Sequence, residues 1–62
     1  MELLLDNKST EMEFNGTVST LLKDLKVMRE EVVIKINGRL APETAMIMPD
    51  DRVEIVKVVF GG

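Results

Sequence analysis

Apolar positions along the chain change period, and the changes divide it into elements. Glu2-Leu3-Leu4-Leu5 is a short apolar run of strand type. Asp6-Asn7-Lys8-Ser9 follows with turn chemistry, because Asp and Asn bond their own backbone and tolerate a left-handed conformation. Glu11-Met12-Glu13-Phe14 alternates polar and apolar, which places Met12 and Phe14 on one face of a strand and Glu11 and Glu13 on the other. Asn15-Gly16 then reads as the turn that closes this opening hairpin. From Val18 the period lengthens: Val18, Leu21, Leu22 and Leu25 fall at i, i+3, i+4 and i+7, one stripe of an amphipathic helix over Val18–Lys26. Thr17 stands where its hydroxyl can cap a free backbone N–H. Val32–Ile36 is β-branched, with Lys35 outward and Ile34 and Ile36 inward. Asn37-Gly38 signals a tight hairpin, returning through Arg39-Leu40-Ala41 to Pro42. Glu43–Met48 reads as irregular, with Met46 and Met48 as flexible filler. After the turn Pro49-Asp50-Asp51, the last strand runs Arg52–Val59 with Val53 and Ile55 inward and Glu54, Val56 and Val58 outward.

One helical stripe covers one face of one sheet. The pattern therefore predicts an α+β fold: a mixed, four- to five-stranded sheet with a single helix packed on one face. The expected core is Leu3, Leu5, Met12, Phe14, Val18, Leu21, Leu22, Leu25, Ile34, Ile36, Leu40, Val53 and Ile55. Residues 1–62 are expected to form a single domain with a tail at 60–62. A chain this short buries only about 60% of its unfolded surface, so the core has to be efficient.

Composition narrows the chemistry. There is no cysteine and no histidine, which removes disulfides, thiolate metal sites and the side chain that titrates near neutrality. Eight basic against eleven acidic residues give a net charge of −3. That balance, with no Trp or Tyr, argues against nucleic-acid binding. The start is acidic and carries only three leucines in a row, so neither a signal peptide nor a membrane span is expected, and the expected address is the cytoplasm. Glu11 and Glu13 share a face, but a pair of carboxylates on an open strand reads as a solvated surface rather than an acid–base pair. Asp50-Asp51 lacks the further acids of a calcium loop. Neither Asn-Gly pair belongs to a phosphate-binding loop, and Ser9 and Ser19 have no base to activate them. No catalytic residue, metal site or bound cofactor is expected, which argues against an autonomous enzyme.

The remaining feature is the terminal Gly61-Gly62 directly after a strand. Without Cβ atoms, two glycines can thread a narrow tunnel and present the terminal carboxyl to a partner. These features, with the strand–strand–helix–strand order, Ile36-Asn37-Gly38 and Asp51-Arg52-Val53-Glu54-Ile55-Val56, resemble the ubiquitin-like β-grasp sulfur carriers of the ThiS/MoaD family, and ThiS more closely than MoaD. Two positions depart from the family pattern. Asp50 stands where such chains often carry glycine, and Phe60 where a small residue is common.

The resemblance implies a non-catalytic co-substrate. A ThiF/MoeB-like partner would adenylate the Gly62 carboxylate with ATP and Mg²⁺, and sulfur would then replace AMP to give a thiocarboxylate. A ThiG-like synthase, or the large subunit of molybdopterin synthase, would take that sulfur into the thiazole of thiamine or a related cofactor. Gly61 and Gly62 are thus the expected carrier terminus. Val33, Val56, Val58 and Phe60 are the expected docking patch of a chain that is monomeric when free. A protein modifier conjugated through Gly62 to lysine, and a plain interaction module, are the alternatives.

Overall fold

The computed structural model describes residues 1–58. Val59, Phe60, Gly61 and Gly62 lie outside the described residues, and with them the expected end of the last strand, one member of the docking patch and the terminus itself.

The chain opens with β1 (Glu2–Leu5) and β2 (Lys8–Glu11), paired antiparallel with Leu5 opposite Lys8. The connection is the two-residue turn Asp6-Asn7, at φ 52° and 63°. Positive φ at both positions gives a turn whose twist matches the strands, and Asp and Asn tolerate it. The expected four-residue turn is therefore too long, and β2 begins at Lys8 rather than Glu11. All four β2 residues are exposed, so no apolar alternation marked the strand. Met12–Phe14 lies beyond β2, yet the expected facing holds. Met12 and Phe14 pack against the core, while Glu11 and Glu13 are exposed.

Asn15-Gly16 does not close a hairpin. Gly16–Thr17 forms β3, which pairs antiparallel with β6 (Met46–Ile47). Gly16 sits at φ +154°, and a Cβ there would meet the Phe14 ring at 3.3 Å, so the glycine serves close packing. Helix α1 (Val18–Leu25) begins as expected, with the Thr17 hydroxyl accepting from the Thr20 amide at 3.2 Å. It ends one residue early. Lys26 adopts a left-handed conformation (φ 58°, ψ 41°), and Val27 N–H donates to the Leu22 carbonyl at 2.9 Å. This reversal caps the helix and turns Val27 onto the core.

A 3₁₀ turn (Arg29–Glu31) leads into β4 (Val32–Ile36), and Asn37-Gly38 (φ 53° and 83°) joins it to β5 (Arg39–Leu40). The last strand, β7, spans Arg52–Lys57 and stops short of Val59. The main sheet runs β2-β1-β7-β4-β5; β1 and β7 are parallel and the other pairs antiparallel. This is the mixed sheet with one helix on one face that the pattern predicts.

The core holds Met1, Leu3, Val18, Leu21, Leu22, Ile34, Ile47, Val53 and Ile55. Leu5, Met12, Phe14, Leu25 and Ile36 pack around it as partly buried residues. Two expectations fail. Ile47, in the stretch read as irregular, is fully buried, because β6 turns it inward while Met46 and Met48 project to solvent at 57% and 55% exposure. Leu40, expected in the core, is 72% exposed. It lies opposite Lys35 in the ladder and so shares Lys35's outward face.

Among the described residues no helix is long and apolar enough to cross a membrane, and no group of His, Cys, Asp or Glu is placed to hold a metal ion.

Candidate functional site

The expected site has two parts, the terminus and a docking patch. The terminus lies outside the described residues, but the element that leads to it is described. β7 occupies the centre of the sheet, pairing with β1 along Arg52–Ile55 and with β4 along Val53–Lys57. Its Val53 and Ile55 are held in the core. Past its end, Val58 N–H still donates to the Glu31 carbonyl at 2.8 Å. A central strand buried on one face and bonded on both edges makes a firm base for whatever follows it.

The N-terminal end of β7 is held by side chains. Asn37 N–H donates to the Arg52 carbonyl at 2.8 Å, and the Asn37 amide oxygen accepts from Arg52 N–H at 2.9 Å. The Asn37 side-chain NH₂ donates to one Asp51 carboxylate oxygen at 2.9 Å, and the other accepts from Met48 N–H at 2.8 Å. The Met48 amide, then Asn37, holds the Asp51 carboxyl below its ordinary range. Asn37 was read from sequence only as a turn residue and Asp51 only as part of a turn. Here they join the β4–β5 turn to the start of β7.

The docking patch divides. Val33 and Val56 are direct partners across β4 and β7, on the sheet face away from the helix. Val58 is 36% exposed and stands apart from them, lining an open cleft with Val27, Met28 and Val32. Phe60 lies outside the described residues. Sequence reading missed two members of the outer face. Leu4 neighbours Glu54 across β1 and β7, and Leu40 neighbours Lys35 across β5 and β4. The signal for Leu40 was its position two residues past the two-residue turn Asn37-Gly38. That position fixes its partner as Lys35, and with it the outward facing.

Charges on this face lie toward its other end. Glu2 contacts Arg52 at 3.5 Å and accepts from the Ser9 hydroxyl at 2.6 Å. Along β7 the outward residues are Arg52, Glu54 and Val56, a progression from charged to apolar in the direction of the chain's end.

Comparison with the curated proteins finds no match. The crystal structure of the thiamine biosynthesis protein (ThiS) from Geobacter metallireducens is similar over 100% of both chains, with 26% identity and a TM-score of 0.68. The ThiS family model matches residues 2–62, so the match spans the elements described above and both terminal glycines. By that match, and by the mixed sheet and single helix that it shares with a solved ThiS, the chain belongs to the ThiS family of β-grasp sulfur carriers.

Proposed function

We propose that the chain carries sulfur for thiamine-thiazole synthesis on its own C-terminus, acting as a co-substrate rather than a catalyst. The observation that carries this reading is the family match running through Gly62. In the proposed cycle, an oxygen of the Gly62 carboxylate attacks the α-phosphorus of ATP, bound with Mg²⁺ by a ThiF-like partner, and pyrophosphate leaves. The acyl-adenylate is a good electrophile where the carboxylate was inert. A persulfide sulfur then attacks the acyl carbon, AMP leaves, and thiol cleavage of the resulting acyl disulfide frees the thiocarboxylate. A ThiG-like synthase would consume it.

This chain's own contribution is mechanical. The sheet sets the direction of the terminus. Gly61 and Gly62 add no side chain that would block entry to a narrow active site. Val33 and Val56, extended by Leu4 and Leu40, supply an apolar face on which the activating partner docks, since apolar area at the centre of an interface supplies affinity.

Intact mass of the protein purified from cells tests the reading. The expected result is a species heavier by the difference between one sulfur and one oxygen. Heavier covalent conjugates to lysine would favour a protein modifier instead. Finding neither, under thiamine-limited growth, would leave a plain interaction module.

A further inference from the structure

The outer sheet face carries Glu2, Glu11, Arg52, Lys35 and Glu54, as the registers place them. Three of these charges have partners within the chain. Glu2 pairs with Arg52 at 3.5 Å, and Glu11 with the N-terminal amine at 3.5 Å. Lys35 and Glu54 form no ion pair among the described residues, although they stand directly opposite each other across β4 and β7. Both are half-buried. They occupy the middle of a row that crosses the five strands as Ser9, Leu4, Glu54, Lys35, Leu40. The Val33–Val56 pair lies one row nearer the chain's end, about 7 Å along the strands.

We propose that Lys35 and Glu54 orient the activating partner. That enzyme would present a carboxylate to Lys35 and a guanidinium or ammonium to Glu54, on either side of the axis of β7. The inference rests on the carrier reading and adds the chemistry of the partner's surface.

The argument is one of symmetry and solvation. Val33 and Val56 sit opposite each other on antiparallel strands. That apolar step is nearly the same after a half-turn about an axis normal to the sheet, and apolar contact is non-directional. A partner seated on it alone would fit either way round. Only one orientation delivers Gly62 to the partner's reacting centre, because the terminus leaves from β7 and not from β4. Lys35 on β4 and Glu54 on β7 break the symmetry, since both lie on one side of the Val33–Val56 pair and the half-turn carries the partner's matching charges to the other side. Covering the row removes water from both. In the correct orientation each finds an opposite charge, and in the reversed one the partner's two charges lie on the far side of the valine pair and leave Lys35 and Glu54 without an opposite charge. Charge complementarity of this kind fixes register and rejects wrong poses.

The test uses ATP–pyrophosphate exchange by the ThiF-like enzyme that activates the wild-type chain. The variants are Lys35→Glu, Glu54→Lys and the double exchange Lys35→Glu/Glu54→Lys, with circular dichroism confirming that each is folded. Each single variant is expected to raise KM about tenfold or more, the scale of one misplaced desolvated charge, with kcat changed far less. The double exchange decides the matter. It keeps both charges and the net charge but reverses their order, so it should be at least as impaired as the singles. Recovery to the wild-type KM would mean that the two charges merely neutralise each other within the chain, and would overturn the proposal. Singles indistinguishable from wild type would also overturn it while leaving the carrier reading intact. Failure of the wild type itself to support exchange would remove the carrier reading, and this inference with it.

Discussion

The two faces of β7 are built from the same backbone and obey opposite rules. On the inner face, Val53 and Ile55 are buried, in a cluster that reaches Leu3, Ile34 and the helix residues Val18, Leu21 and Leu22. On the outer face, Glu54 and Val56 meet Lys35 and Val33 across the ladder, and nothing among the described residues covers them. A sheet with one helix has only one face to bury, so the other is left to solvent or to a partner. The difference separates stability from recognition residue by residue. Alternate positions of one strand hold the fold together and present a surface.

That separation can be broken most forcefully from inside. Leu21→Ala or Ile47→Ala removes a side chain that is fully buried. Each is expected to cost about 2–5 kcal/mol, a large share of what so small a domain has. Thermal melting checks this, and unchanged melting temperatures for both would mean that the helix and β6 do not close the core.

A smaller loss is expected at the junction between the faces. Asn37→Ala removes two side-chain hydrogen bonds and leaves alanine at φ 53°. The expected destabilisation is about 1–2 kcal/mol, with Asn37→Gly milder because glycine accepts that φ freely. The same cluster has a pH signature. The Asp51 carboxyl is held below its ordinary value of 3.8, by Met48 N–H first and Asn37 second. A carboxylate with a depressed folded-state pKa stabilises the fold above its unfolded value, and that contribution is lost as pH falls from there through the folded value. Melting temperature should therefore hold at neutral pH and drop below about pH 4, and Asp51→Asn should flatten that acid limb. An acid limb identical in the variant would assign it to other carboxylates.

The outer face should respond the other way. Val56→Ser changes a residue that is 37% exposed. Stability should move by about 0.5 kcal/mol or less, while activation by the partner falls. Denaturant melts alongside pyrophosphate exchange test this. A large stability loss without an exchange defect would make Val56 a packing residue after all. The smallest effect on the fold is expected at the terminus. Deleting Gly61 and Gly62 should change stability by no more than about 0.5 kcal/mol and abolish activation. A truncated chain that still forms an adenylate would sink the carrier reading.

Local chemistry determined much of this protein without help from its tertiary structure. The helix from Val18, its Thr17 cap, the Val32–Ile36 strand and the Asn37-Gly38 turn were legible because each depends on residues a few positions apart: periodicity, one hydroxyl, β-branching and left-handed tolerance. The alternation along Arg52–Val56 was enough to sort Val53 and Ile55 from Glu54 and Val56. What sequence could not decide was pairing between distant segments. Asn15-Gly16 and Asn37-Gly38 are the same dipeptide, yet only the second is a hairpin turn. Gly16–Thr17 is claimed by Met46–Ile47, some thirty positions away, and that pairing buries Ile47. Leu40 looks like core by composition and faces outward by register, because its partner across the ladder is Lys35. Asn37 and Asp51 meet only once β7 lies beside β4. Propensity acts over a few residues, whereas register is set by which strands the sheet brings together, and a shift of one residue sends a side chain to the opposite face.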